Sequence, residues 1–161
     1  MSAEAQPLKI PLWLRAAAFF LIAPFPLVVV VPEIITGDWS ARVGVTGRVA
    51  AIALFATGLA ILVWCFRDFV VRGRGTPAPY DPPRALVVQG LYRFTRNPMY
   101  LGIVIALLGE AIWTWSGALL LYAALVGLAF HLRVVIYEEP KLTELFGDEF
   151  GEYRGRVRRW L

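Results

Sequence analysis

Charge-free apolar runs alternate along this chain with short stretches rich in arginine. Ala16 to Val31 carries no charge, and Leu12 to Arg15 extends it at one interface. Val49 to Phe66 is a second such run. A third, Pro98 to Thr114, is broken only by Glu110, and a fourth spans Gly117 to Tyr137, charge-free as far as Phe130. The runs approach the ~20 residues with which a helix crosses a hydrocarbon core about 30 Å thick. Only Trp115 and Ser116 separate the last two, so the pattern predicts a tight antiparallel helical hairpin. Pro24 and Pro26 predict a kink in the first helix, since each removes a backbone donor. That run is long, and the bulky Val28 to Val31 stand where a signal peptide carries small residues. It therefore reads as a retained span.

Composition supports a bilayer as solvent. Of 161 residues, 58% are hydrophobic and 17% charged, whereas an ordinary soluble domain carries roughly 25% charged residues. A soluble body of this size would have to hide more apolar surface than it can. The expected fold class is an all-α integral membrane protein with about four transmembrane helices, a C-terminal helical hairpin and short cytoplasmic helices. The chain divides as one membrane domain, 1–161. It comprises two N-terminal spans in 12–66, a cytoplasmic loop in 67–97, and a hairpin with a cytoplasmic tail in 98–161. Cys65 is the single cysteine and His131 the single histidine, so neither a disulfide framework nor a metal is expected. No nucleic-acid partner is expected either.

Arginine placement sets the orientation. Arg67, Arg72, Arg74, Arg84, Arg93 and Arg96 fall between the second and third spans. Lys141, Arg154, Arg156, Arg158 and Arg159 follow the fourth, while the link Pro32 to Arg48 holds only Arg42 and Arg48. The positive-inside rule then places both termini in the cytoplasm. The compact length suggests a bacterial inner membrane. Gly73 to Arg84, rich in Pro and Gly, predicts a loop over that face. In the tail, Pro140 suits a helix start and Gly147 its end, with Asp148 capping a last amphipathic segment carrying Phe150, Tyr153 and Val157.

Two polar clusters can carry chemistry. Asn97-Pro98 predicts an N-cap followed by proline at the first helical position. A helix start with free N–H groups, flanked by Arg93 and Arg96, makes an anion site for a carboxylate or phosphate. The same residues also suit a plain capped membrane helix with topology-setting arginines. The second cluster is His131, Arg133, Tyr137, Glu138, Glu139 and Pro140. Adjacent glutamates cannot both point the same way, so one can hold a ligand while the other pairs with an arginine. They also suit a solvated helix end held by weak surface salt bridges, and a lone His131 is most often an ordinary interfacial residue. The tight hairpin brings both clusters to one membrane face. A pocket there has access to a water-soluble and a lipid-borne ligand.

At these residues the sequence resembles the isoprenylcysteine carboxyl methyltransferase and phospholipid methyltransferase superfamily. The family pattern, Gly-x-Tyr followed by Arg-x-x-Arg-His-Pro-x-Tyr-x-Gly, is matched from Gly90 to Gly102. Its second part is matched by Glu138-Glu139-Pro140-Lys141-Leu142, Phe146-Gly147, Tyr153 and the basic tail ending Arg156-Val157-Arg158-Arg159-Trp160. Asn97 replaces the usual histidine. The resemblance implies an S-adenosylmethionine-dependent enzyme that methylates a lipophilic acceptor, such as a prenylcysteine carboxylate or a lipid amine. It implies that Tyr92, Arg96, Asn97, Pro98, Tyr100 and Gly102 form one side of the cofactor pocket, and Glu138 and Glu139 the other. No Gly-rich dinucleotide fingerprint is present. Arg133 and Glu138 are the candidate catalytic residues. Arg133 would orient an acceptor carboxylate, and His131 could assist an amine, which must attack in neutral form. The alternatives are a nicotinamide-dependent membrane reductase and a non-catalytic four-helix membrane subunit.

Overall fold

The computed structural model of the protein describes residues 10–73, 75 and 84–161. All regular structure among the described residues is helical. The first rod joins α1 (Leu12–Ile22), a π-helical turn (Pro26–Val30) and α2 (Val31–Thr36). Its α-helical path breaks at Ala23 (φ −112, ψ −68), just before the two prolines that predicted a kink. The widened π spacing accommodates the donors they lack. Gly37 ends the rod in a left-handed conformation (φ 61), its N–H donating to Glu33 O at 2.8 Å.

α3 (Val45–Asp68) runs on through a π-helical turn, Phe69–Gly73. The helix thus passes the point where the sequence predicted a loop from Arg67. Arg67 and Asp68 do not stop it, because the charge of Asp68 is neutralised in place. Its side chain is 1% exposed, and Arg72 Nη1, one helical turn on, lies 3.0 Å from Oδ1. Residue 74 and residues 76–83, most of the predicted Pro/Gly loop, lie outside the described residues. The ends of that segment meet, Arg84 N–H donating to Gly73 O at 2.9 Å.

α4 (Pro98–Trp113) is the shortest apolar rod, with 16 residues. At 1.5 Å per residue it covers about 24 Å, short of a full hydrocarbon core. The three longer rods, Leu12–Thr36, Val45–Gly73 and the one starting at Gly117, have the length and hydropathy to span a membrane. α4 is instead sheltered by protein. A Cβ built on Gly58 of α3 would lie 2.5 Å from Gly102 O and 2.7 Å from Ala106 N. One on Gly109 would lie 2.8 Å from Ala51 O and Phe55 N. Small residues therefore let the two backbones touch, the usual means of tight packing between helices in lipid. Glu110, 3% exposed, is turned into the protein and not to lipid.

The predicted hairpin is present. α5 (Gly117–Arg133) follows α4 across Thr114, Trp115 and Ser116. Trp115 takes a positive φ of 50°, and Ser116 Oγ caps α5 by accepting from Leu119 N–H at 3.3 Å. The helical path does not end with α5. It continues through a π-helical turn (Val134–Glu138) into α6 (Glu139–Arg156). The predicted separate helix starting at Pro140 is thus a continuation, and Pro140 is tolerated in the turn where α6 begins. At Gly147, where a helix end was expected, α6 instead kinks (φ 48, ψ −122). The core joins α3, α4 and α5 through Leu62, Cys65, Ile103, Leu107, Ala123 and Val126. Beyond the Gly147 kink, Phe150 and Tyr153 are buried as well.

Candidate active site

The first wall is built from Gly90 onward. Gly90 has φ 62, and a Cβ there would lie 2.2 Å from Asp68 Oδ2, so glycine is required both by conformation and by space. The short 3₁₀ turn Gly90–Arg93 delivers Tyr92 into the core, its ring edge-on to Phe69 at 5.8 Å. Tyr153 Oη donates to Tyr92 O at 2.7 Å and fixes α6 to this turn. The C-terminal tail then lies along residues 95–97. Arg96 N–H donates to Arg158 O at 2.9 Å, Thr95 Oγ1 to Arg159 O at 3.1 Å, and Asn97 Nδ2 to Arg159 O at 2.9 Å. Asn97 occupies the N-cap position of α4, but its side chain makes no cap bond. This corrects the expected capping role: the Arg159 carbonyl takes the amide instead.

The second wall comes from the π-helical turn after α5. The extra residue of a π turn changes the facing of the side chains beyond it, and such turns concentrate at functional sites. Glu138 and Glu139 accordingly reach different partners. Glu138 Oε1 accepts from Tyr100 Oη and, at 2.8 Å, from Arg133 Nε. Tyr100 stacks on Phe130 at 4.2 Å, and the Arg133 guanidinium sits 5.5 Å above the Tyr137 ring. Glu139 is gripped by two arginines. Arg159 takes both oxygens, Nε to Oε1 at 2.7 Å and Nη2 to Oε2 at 2.9 Å, while Arg96 Nη2 reaches Oε1 at 3.1 Å.

Between the walls lies a cavity of about 200 Å³. Tyr92, Arg96, Asn97, Met99 and Tyr100 line one side, and Arg133, Tyr137, Glu138 and Glu139 the other. Phe69, Val87, Leu142 and Leu145 supply apolar surface. Arg96 contributes the most pointed feature. Its Nε and Nη1 are buried and find no hydrogen-bond partner among the described residues. Burial draws its pKa below the ordinary arginine value, with Glu139 opposing, and the group stays cationic. For Arg159 the direction is reversed, because its hydrogen bonds to Glu139 favour the charged form.

Seven of the predicted site residues thus meet at the cavity: Tyr92, Arg96, Asn97, Tyr100, Arg133, Glu138 and Glu139. Three do not line it. Pro98 is buried at the start of α4, and Gly102 is spent on the contact with Gly58 and Ile61 of α3. His131 lies on the exposed side of α5, where its Nδ1 accepts from Trp160 Nε1 at 3.1 Å. Arg159 stood in the sequence only as one residue of the matched basic tail, because its run of basic neighbours suits a topology signal equally well. Asp68, under Gly90, lay hidden in what looked like loop.

Comparison with known proteins gives the family. A family model described as phospholipid methyltransferase matches residues 46–149. Methanethiol S-methyltransferase 1 of Bradyrhizobium diazoefficiens is 37% identical over 90 residues, 56% of this chain and 28% of that protein. A probable protein-S-isoprenylcysteine O-methyltransferase of Oryza sativa is 30% identical over 82 residues, 51% of this chain and 43% of the relative. The phosphatidylethanolamine N-methyltransferase of Pyricularia oryzae is 27% identical over 134 residues, 80% of this chain and 13% of that protein. The chain therefore spans less than half the length of these relatives. No solved structure matches it. The match over two helical rods, the hairpin and both cavity walls means that the chain belongs to the phospholipid methyltransferase family of membrane enzymes.

Proposed function

We propose that the protein transfers a methyl group from S-adenosylmethionine to a lipophilic acceptor at the cytoplasmic face of a membrane. The observation that carries this is the Arg96 guanidinium, with two buried donors unpartnered in the wall of a cavity otherwise largely apolar. Unsatisfied buried donors are costly, and a ligand carboxylate satisfies them. The donor set fits the cofactor. Arg96 and the uncapped start of α4 would hold its carboxylate, and Glu138 would accept hydrogen bonds from its hydroxyl or amino groups. When bound, S-adenosylmethionine supplies a methyl group already activated on a sulfonium. The chain's own residues then have to align the partners and keep water out. Val87, Leu142 and Leu145 serve the second task, while Tyr100, stacked on Phe130, holds Glu138 in place.

Arg133 orients the acceptor. Its Nε is engaged by Glu138 and Tyr100, and its side chain is 42% exposed, which leaves the other guanidinium edge for a polar head group. A carboxylate needs no general base, while an amine must arrive neutral. The relatives' names cover S-, O- and N-methylation, so the atom methylated is a matter for the product assay. The cytoplasmic orientation rests on the arginine-rich ends. Sealed inside-out membrane vesicles containing the protein, given methyl-labelled S-adenosylmethionine, should form a labelled lipid-soluble product. Right-side-out vesicles should not. Arg133→Lys keeps charge but loses the planar fork, and should slow labelling roughly tenfold while adenosylhomocysteine affinity holds. No labelling by folded protein in either vesicle type would contradict the proposal, and wild-type turnover in Arg133→Lys would remove Arg133 from the acceptor site.

A further inference from the structure

Glu139 is shared unequally between its two arginines. Arg159 forms a fork on both oxygens, at 2.7 and 2.9 Å, and Arg96 is left with one oxygen through Nη2 at 3.1 Å. A guanidinium beside a carboxylate favours two parallel hydrogen bonds. Arg159 makes both of these bonds to Glu139, and Arg96 makes only one. Arg159 is fastened in that position by its own backbone. Its carbonyl accepts from Thr95 Oγ1 and Asn97 Nδ2, and the Arg158 carbonyl accepts from Arg96 N–H. The tail is thereby tied to the same three residues that carry Arg96. In this arrangement Arg96, a residue of the cavity lining, keeps Nε and Nη1 buried and unpartnered.

We propose that Arg159 is a positioning residue which, by occupying Glu139, keeps the remaining donors of Arg96 free for the carboxylate of the methyl donor's amino-acid moiety. This rests on S-adenosylmethionine being the cofactor. Without Arg159, Arg96 closes on Glu139 as a fork, which takes one of its two unpartnered nitrogens and turns the guanidinium toward Glu139. Arg159 touches no ligand itself, so its effect runs through Arg96 and reaches only ligands that bear the carboxylate. A tail that served merely as a structural strap would affect all ligands of the cavity alike.

Calorimetry on the full chain in detergent separates these cases with two probes. S-adenosylhomocysteine carries the amino-acid moiety, and 5′-methylthioadenosine shares the adenosine and thioether but lacks it. Arg159→Gln should weaken adenosylhomocysteine about tenfold or more and leave methylthioadenosine unchanged. Arg96→Gln should have the same selective effect. The double variant should be no worse than Arg96→Gln alone, since the two side chains act as one unit. Arg159→Lys keeps the charge without the fork, and should show a smaller loss with the same selectivity even if Arg159→Gln folds poorly. Equal weakening of both probes, unchanged adenosylhomocysteine affinity in the Arg159 variants, or additive losses in the double variant would overturn the assignment. Wild-type protein that binds neither probe would overturn the cofactor itself, and this role with it.

Discussion

Gly58→Val should leave little folded protein in detergent. The Cβ alone would sit 2.5 Å from the Gly102 carbonyl oxygen and 2.7 Å from the Ala106 nitrogen, and both are backbone atoms that cannot rotate aside. The only relief is to part α3 from α4, the helix pair with the most extensive contact among the described residues. Overpacking that side chains can absorb costs about 1–3 kcal/mol. Here the backbones must separate, so the cost should lie at or above the top of that range. The consequence reaches the site, since α3 and the π-helical turn that continues it carry Asp68 and Phe69, which contact Gly90 and Tyr92. Gly127→Ala is the matched control, because its Cβ would meet only Val104 Cγ2, at an ordinary 3.7 Å. Thermal unfolding and size-exclusion profiles should show Gly127→Ala close to wild type and Gly58→Val largely aggregated. Wild-type behaviour of Gly58→Val would disprove the contact between the two helices.

Glu139→Gln should cost far more stability than Glu138→Gln. Glu139 is 8% exposed and is the shared counter-charge of Arg96 and Arg159, so its loss leaves two neighbouring guanidinium groups without one. Removing one partner of a buried pair costs about 3–5 kcal/mol. Arg159 is itself 35% exposed, and solvent relieves part of its charge, which favours the lower end of that range. Glu138 loses the partly exposed Arg133, a type of pair worth roughly 0–1 kcal/mol. Thermal unfolding of the two variants side by side should show a clear drop for Glu139→Gln and a small one for Glu138→Gln. Equal drops would mean that the Arg96–Glu139–Arg159 triad does not hold the tail in place.

The membrane class, the hairpin and most of the cavity could be read from sequence because each leaves a local mark. Apolar runs mark the rods, and a link of two residues forces the hairpin. The segments Gly90 to Gly102 and Glu138 to Leu142 put their functional groups within a few residues of one another. Features that depend on pairing distant segments left no such mark. The use of Gly102 depends on the register of α3 against α4, so a glycine inside the motif went to packing and not to the cavity. Asn97 had the right identity and position for a cap, yet a carbonyl 62 residues away took its side chain. Arg67 and Asp68 looked like the end of a span, although Asp68 pairs within the helix with Arg72, four residues on, a local signal that sequence reasoning passed over. Arg159 resembled any other basic residue of the tail until the fold brought it onto Glu139.

Placement of the methyl donor between the start of α4 and the turn joining α5 to α6 is tested most directly by ultraviolet crosslinking. Methyl-labelled S-adenosylmethionine is irradiated with the folded protein, and the labelled peptides are mapped. Label should fall on peptides containing residues 92–100 or 133–153, and excess adenosylhomocysteine should abolish it. Competable label on the N-terminal rod or on the loop at Asp38 and Trp39, or label that adenosylhomocysteine does not displace, would contradict this placement.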